Sequence, residues 1–405
     1  MTRVVQKYGG TSVASATKLQ QVAARIRQAL RQEHDGVVVV VSAMGDTTER
    51  LMRLAHSVNG DPPSREVDML LSTGETVTAP LLAMALVAGG TPAISLTGHQ
   101  AGIRTSTSHR RARIIDIVPE RVIDALTRGI VPVVAGFQGV TAELDVTTLG
   151  RGGSDTTAVA LAVAVGADHC EIYTDVRGVF TADPRVVPEA RPIPEIAYAE
   201  MLEFAAVGAR VMHPRAVEIA EAYSMPIQVR SAHDGGRGTV ICQHPSMEAR
   251  QRVRGIAHET DVAKITVLRV PDRRGIAAAI FNPLGERHIN ADIIVQNVSH
   301  DGMTDVSFTV AETDLVEARR VLDDVVREIG ADGYDASADI AKVSVVGTGM
   351  RHTELVGQMF STFADAGINI QMISTSEILV TCIIERDRVR DAVRALHRAF
   401  ELDRI

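Results

Sequence analysis

Two glycine-rich stretches carry charges placed to meet anions. Lys7-Tyr8-Gly9-Gly10-Thr11-Ser12 follows a short apolar run at the N-terminus. It lacks the order and spacing of a GxxxxGK[ST] phosphate loop, but the physics is related. Gly9 and Gly10 let backbone N–H groups approach and surround an anion, and Lys7 adds a cation. A tight turn with a surface lysine would give the same string. The second stretch is Leu149-Gly150-Arg151-Gly152-Gly153-Ser154-Asp155-Thr156-Thr157, which opens an apolar helix. Free N–H groups and the positive dipole end there favour an anion, and Arg151 can clasp a carboxylate through two parallel hydrogen bonds. Asp155 can bind an ammonium or simply cap the helix. Capping does not explain three glycines around an arginine.

Other small polar residues recur after apolar runs. Ser42-Ala43-Met44-Gly45-Asp46-Thr47 follows five valines, and Thr174-Asp175-Val176-Arg177-Gly178 through Asp183-Pro184-Arg185 reads as an ordered loop. Thr73-Gly74-Glu75 reads as the end of one segment and the start of another, with Glu75 by default a solvated charge. His213, followed by Pro214, has no matching Cys or His nearby and reads as structural; no metal-ligand cluster is evident. Two anion-friendly loops, a lysine and several carboxylates at strand ends point to phosphoryl transfer, in which a protein mainly positions groups and neutralises charge.

The elements that must hold these groups alternate. Residues 3–6, 37–41, 93–96, 130–135 and 171–174 read as short buried strands, separated by helical periodicity such as Leu19, Val22, Ile26, Leu30. That pattern is α/β with a largely parallel sheet, and functional loops belong at the carboxyl ends of its strands. Within 405 residues there is room for two to four domains. A net charge of -8 argues against a general nucleic-acid binder. The most apolar runs, Val37 to Val41 and Ala160 to Gly166, fall short of a membrane span. Three distant cysteines without CxxC spacing and no apolar leader fit a reducing cytoplasm. Of 42 Lys and Arg residues only four are Lys (Lys7, Lys18, Lys264, Lys342), so each lysine invites a question.

Beyond residue 232 the composition changes, and an internal repeat follows. Ala263-Lys264-Ile265-Thr266-Val267-Leu268 aligns with Ala341-Lys342-Val343-Ser344-Val345-Val346, and His288-Ile289-Asn290-Ala291-Asp292 with Gly367-Ile368-Asn369-Ile370-Gln371. Each copy reads as a βαββαβ unit of about 70 residues. The expected boundaries are a first domain over 1–245, a linker over 246–262, and repeats over 263–335 and 336–405.

Taken in order, Lys7 to Val13, Ser42 to Gly45, Thr147 to Asp155, Asp183-Pro184-Arg185 and the tandem repeat resemble aspartate kinase: an amino acid kinase domain followed by two ACT domains, which are small-molecule sensing modules. The resemblance spans the chain. It implies transfer of the ATP γ-phosphoryl group to the β-carboxylate of L-aspartate, giving 4-phospho-L-aspartate at the start of lysine, threonine and methionine synthesis. It implies that Lys7 stabilises the transferring phosphoryl group, with Tyr8, Gly9, Gly10, Thr11 and Ser42 around the phosphates. Arg151 then holds the α-carboxylate, Glu75 and Asp155 face the ammonium, and Thr47, Gly152, Gly153 and Ser154 complete the substrate site. Thr174, Asp175, Phe180, Asp183, Arg185 and Arg210 frame the nucleotide, and Mg²⁺ is carried largely by phosphates and water. Three positions depart from the family pattern: Arg210 where Lys is frequent, Phe180 for a common Tyr, and Arg177 for an acidic residue. Pro283, inside the helix expected over 276–287, predicts a kink or an early end.

The resemblance further implies feedback inhibition by threonine, alone or with lysine. The expected effector residues are Asp272, Ile276, Ala277, Asn290, Asp292 and Gln296 in the first repeat and Asn369 and Ile370 in the second. Asn290 and Asn369 also read as plain turn residues. The implied assembly is a homodimer through the ACT domains, or pairing with a short regulatory subunit started at Met247. The contrasting reading is a catalytically inactive amino-acid sensor of the same fold; Lys7, Glu75, Arg151 and Asp155 together argue against it.

Overall fold

Five consecutive valines cannot face water on either side of a strand, and all six residues of Gly36–Val41 are buried. This strand lies inside the large sheet of the first of two units in a computed structural model that describes residues 2–32, 34–208, 211–232, 235–246, 252–297 and 301–404. The first unit comprises Met1–Phe180 and Pro192–Arg250, the second Thr181–Arg191 and Gln251–Ile405.

The strands of the first unit are β1 (Arg3–Tyr8), β2 (Gly36–Val41), β3 (Ala93–Leu96), β4 (Ile103–Thr105), β5 (Ile114–Ile117), β6 (Val131–Ala135), β7 (Gln138–Val140), β8 (Val146–Thr148), β9 (His169–Thr174), β10 (Glu195–Ala197), β11 (Ile227–Ser231) and β12 (Thr239–Cys242). Its helices are α1 (Ala16–Gln32), α2 (Thr47–Val58), α3 (Ser64–Ala88), α4 (Glu120–Thr127), α5 (Gly153–Val165), α6 (Tyr198–Ala206) and α7 (Pro214–Ala222). Eight strands form one sheet in the order β10-β12-β11-β9-β1-β2-β6-β3. Every neighbouring pair is parallel except β11 with β12, as the strand and helix alternation predicts. A second sheet, β5-β4-β7-β8, ends on the strand that leads into the Arg151 loop.

Helix α3 corrects two expectations. It runs unbroken through Thr73-Gly74-Glu75. Gly74 is there for approach rather than termination: a Cβ on it would lie 2.8 Å from Ala43 Cβ. It is also long and apolar enough to cross a membrane by composition, which the shorter apolar runs did not show. Half of that apolar window is buried inside the first unit, and Asp68 and Glu75 lie on the buried face.

The second unit contains β13 (Gly255–Glu259), β14 (Val262–Pro271), β15 (Ile294–Gln296), β16 (Met303–Ala311), β17 (Gly333–Ser337), β18 (Ile340–Val346), β19 (Met372–Thr375) and β20 (Leu379–Glu385), with helices α8 (Ile276–Glu286), α9 (Leu315–Ile329), α10 (Thr353–Asp365) and α11 (Val389–Ala399). The first repeat closes its own sheet, β15-β16-β14-β17. The second does not. Its sheet, β13-β18-β20-β19, takes an edge strand from residues ahead of the first repeat, within the stretch read as a linker. Helix α8 neither ends nor breaks at Pro283 and continues to Glu286.

Residues 181–191 belong to the second unit by packing. Ala182, Val186 and Val187 are buried in the apolar core of the second repeat. Ile256 N–H donates to the Thr181 carbonyl at 2.7 Å, Arg394 Nε to the Val186 carbonyl at 2.8 Å, and Thr181 Oγ1 meets the buried His397 Nε2 at 2.9 Å.

The repeats are joined by their lysines. Lys264 Nζ of the first donates to Gln371 Oε1 of the second at 2.9 Å, while Lys342 Nζ of the second pairs with Asp292 of the first. Lys264 matches Lys342 in the repeat alignment, and Asp292 matches Gln371. Each repeat therefore reaches the same position of the other.

Candidate active site

The carboxyl ends of β1, β2 and β6 and the start of α5 surround a cavity of about 290 Å³ lined by Lys7, Gly10, Ser42, Ala43, Gly45, Thr48, Glu49, Glu75, Phe137 and Gly150 to Asp155. Lys7 and Asp155 form an ion pair at 2.6 Å, each side chain 12% exposed. Asp155 makes no capping bond to the N-terminus of α5, whose N-cap is Gly152. In place of a cap, the carboxylate meets the ammonium of Lys7, a partner the sequence reading did not name. Arg151 is exposed and makes no hydrogen bond or ion pair with another described residue. Its loop turns through left-handed backbone at Gly150 (φ 80°) and Gly152 (φ 68°), which a side chain would strain.

Glu75 is buried, not solvated. Oε1 accepts the Ala43 N–H at 3.0 Å, while Oε2 is buried with no hydrogen-bond partner. Burial pushes its carboxyl up to about 7, against the lowering effect of backbone hydrogen bonds including that from Ala43. A buried carboxylate oxygen without a donor is costly unless something arrives to pair with it.

Several expected residues are placed elsewhere or used differently. Side chains alternate along β1, so Lys7 faces the cavity and Tyr8 does not. The Tyr8 ring is fully buried and stacked on Tyr173 at 4.7 Å, its hydroxyl donating to Gln6, so it offers a nucleotide nothing. The Gly9 N–H is spent on the Tyr173 carbonyl at 3.2 Å. Gly10 admits the neighbouring turn, since a Cβ there would sit 2.6 Å from the Ala43 carbonyl oxygen. Thr11 is exposed, and its carbonyl accepts from Lys18 Nζ at 2.6 Å, which gives the fourth lysine a place. The Thr47 hydroxyl turns back to the Met44 carbonyl at 2.6 Å, and Thr48 lines the cavity instead.

Thr174 lies one residue past Tyr173, the partner of Tyr8 in the sheet, and so at the same edge. Its hydroxyl donates to Asp175 Oδ1, and Phe180 bridges to Pro192; none of the three lines this cavity. Asp183 and Arg185 belong to the second unit, paired at 2.7 Å. Arg210 and Met247 lie outside the described residues. His213 caps α7, accepting the Arg215 N–H at 3.3 Å, in keeping with a structural histidine.

Among the effector candidates, Ile276 packs its side chain into the core of the first repeat, at the start of α8. Ile370 packs on the core of the second. Asp272, Ala277, Asn290, Gln296 and Asn369 are exposed, and Asp292 is engaged by Lys342.

The sequence reading missed Phe137. It lines the cavity at the end of β6 with φ 68°, unusual for a bulky residue. The Thr157 hydroxyl meets its N–H at 3.1 Å, and Leu149 N–H donates to its carbonyl at 2.9 Å. Its position just after a buried strand was the only available signal. His34, His169 and Glu171 have ligand atoms within 4.8 Å of one another, but at the amino ends of the strands, away from the cavity. Glu171 is already held by Arg230 at 2.6 Å, Gln6 at 2.7 Å and Tyr173 at 3.2 Å. Burial raises its carboxyl, but hydrogen bonds from His169, Arg230 and Gln6 outweigh that and bring it to about 2.

Residues 2–231 match the amino acid kinase family, and residues 264–327 and 343–400 each match an ACT domain. The aspartate kinase of Pseudomonas putida is 48% identical over all of this chain and 98% of its own. The chain belongs to the aspartate kinases of the amino acid kinase family. The aspartokinase of Geobacillus stearothermophilus is 49% identical over 98% of this chain and 97% of its own. Among solved structures, Escherichia coli aspartokinase III in complex with aspartate and ADP is 25% identical, with a TM-score of 0.80 over 98% of this chain and 99% of that one. As an aspartate kinase the chain is a phosphotransferase with a carboxyl group as acceptor.

Proposed function

We propose that the chain transfers the γ-phosphoryl group of ATP to the β-carboxylate of L-aspartate, giving 4-phospho-L-aspartate and ADP and opening the synthesis of lysine, threonine and methionine. The observation that carries this reading is the charge arrangement of one cavity: an unpartnered buried oxygen on Glu75, an unengaged Arg151, and the Lys7–Asp155 pair. An aspartate zwitterion complements it. Glu75 and Asp155 take the ammonium, and Arg151 takes the α-carboxylate through a bidentate clasp. The β-carboxylate is then left free to attack. It is already ionised at neutral pH, so no strong general base is needed. Lys7 neutralises charge gathering on the phosphoryl oxygens, and Gly10 and Ser42 admit the phosphates to the backbone. The relative solved with aspartate and ADP supports the pair of ligands.

The donor set suits Mg²⁺ that enters with the nucleotide. Of the cavity carboxylates, Asp155 is held by Lys7 and Glu75 is buried against Ala43, which leaves Glu49, exposed in the first turn of α2. When bound, the ion neutralises phosphate charge. A coupled ADP-release assay tests the reaction, with glutamate and no-acceptor controls. ADP release dependent on aspartate is expected, and its absence would leave an inactive sensor of the same fold.

Regulation is assigned to the ACT repeats, with threonine, alone or with lysine, as effector and the ACT domains as the dimer contact. Isothermal titration of threonine showing neither heat nor loss of activity would remove that assignment. A second chain started at Met247 would contain β13 and thus every strand of the two four-stranded sheets of the second unit. Native mass spectrometry showing no chain of about 160 residues counts against it.

A further inference from the structure

The Arg151 loop is pinned at both ends by residues that do not line the cavity. At the strand end, Asp68 of α3 is fully buried and accepts from Thr148 Oγ1 at 2.5 Å, from Arg110 N–H at 2.9 Å and from His109 Nδ1 at 2.9 Å. The Ala112 N–H in turn donates to the Thr148 carbonyl at 3.0 Å. One residue on, Arg215 at the start of α7 donates through one guanidinium nitrogen to the Leu149 carbonyl at 2.7 Å and through the other to the Ala112 carbonyl at 3.0 Å. His213, at the cap of the same helix, closes over Gly152, where a Cβ would fall 2.2 Å from its own Cβ. The Arg110 carbonyl also crowds Gly150, at 2.9 Å from a Cβ position.

Three glycines give the backbone of this loop wide conformational freedom, and the contacts around it oppose that freedom. A guanidinium planted on two carbonyls is a rigid fork; a lysine could make only one such bond at a time. We propose that Arg215 and Asp68 are positioning residues for aspartate capture, holding the Thr148–Gly152 turn so that Arg151 projects into the cavity before substrate arrives. Ordering is then done by folding rather than by the ligand, which lowers the substrate concentration required. The inference rests on the assignment of Arg151 to the α-carboxylate.

The test uses full-length wild type, Arg215→Met, Arg215→Lys and Asp68→Asn. Aspartate-dependent turnover of the wild type decides the reaction itself, before any variant is compared. For Arg215→Met the expected result is a KM for aspartate raised about 10- to 100-fold, with KM for ATP and kcat within about threefold. Arg215→Lys recovers part of the loss. Hydrogen exchange of the amides of residues 148–153, measured without ligands, speeds up in Arg215→Met and Asp68→Asn while exchange in β1 and β2 stays as in wild type. Unchanged KM for aspartate together with unchanged loop exchange overturns the proposal. So does equal loss across both substrates with uniformly faster exchange, which would mark a purely structural role. Should Arg215→Met fail to fold, Arg215→Lys and the exchange data carry the same decision.

Discussion

Glu75 holds a charge that the folded chain does not welcome. Its carboxyl sits near 7 when folded against 4.5 as a free group. Between those values the folded state binds more protons than the unfolded state, so this residue's contribution to stability falls as pH rises through that window and levels off above it. The Glu75→Gln chain is therefore expected to be more stable than wild type at pH 8, by up to about 3 kcal/mol, and indistinguishable near pH 4. Thermal melts at the two pH values check this. The same titration sets substrate capture: KM for aspartate should fall from pH 6 to pH 8 in wild type and stay high and flat in Glu75→Gln. Lys7 is the complementary case. Removing its ammonium should lower kcat by about 10²- to 10³-fold, with circular dichroism unchanged; near-normal turnover of Lys7→Ala would refute its role. Both residues were legible in sequence to different degrees. Lys7 stood out because lysine is scarce and glycines follow it. Glu75 read as solvated because its burial comes from the turn after β2, more than thirty residues away in sequence. Tyr8 was misplaced by treating a loop as one object, when alternation along β1 sends neighbours to opposite faces. Phe137 was missed because a positive φ leaves no mark on a non-glycine residue type.

Elements show where periodicity suffices and where it fails. The parallel order around β2 follows from the runs of buried valines and the intervening helices, and it was readable. The unbroken course of α3 was not, because Gly74 looks like a terminus until the approach of Ala43 is known. An alanine at 74 would gain about 1 kcal/mol of helix propensity but place its Cβ 2.8 Å from that of Ala43. We expect Gly74→Ala to lower the melting temperature and raise KM for ATP, since the turn it displaces carries Ser42. The two repeats pose a finer contrast. Equivalent lysines have unequal partners: Lys342 is 7% exposed and pairs with Asp292 and Glu259, whereas Lys264 meets neutral Gln371. Asp292 is 66% exposed and can be rehydrated, so Lys342→Met should cost only about 1–2 kcal/mol, and Lys264→Met less than about 0.5 kcal/mol. Chemical denaturation of the two variants tests the order. The repeat itself was visible in sequence; that β13 completes the second copy was not, since no local pattern says which sheet an isolated strand will join.

At the scale of the molecule, the chain passes between the two units after residues 180, 191 and 250. A chain cut after residue 250 would keep Ala182, Val186 and Val187 but lose the core that buries them. It is expected to be cleaved by protease within residues 181–191 far faster than the full chain, and to be protected when the 247–405 piece is supplied in trans. Equal protease resistance of the cut and full chains would show that the segment needs no such cover. Family motifs alone could not reveal this membership, because Asp183-Pro184-Arg185 reads as part of the kinase loop while its neighbours pack as part of a sensor. For anyone recombining relatives to transplant one protein's sensor onto another's kinase, the natural joint is therefore not a single splice. A crossover near residue 250 leaves eleven residues of the old host lodged in a foreign core, and a graft that keeps its own regulation should carry Thr181–Arg191 along with the C-terminal half.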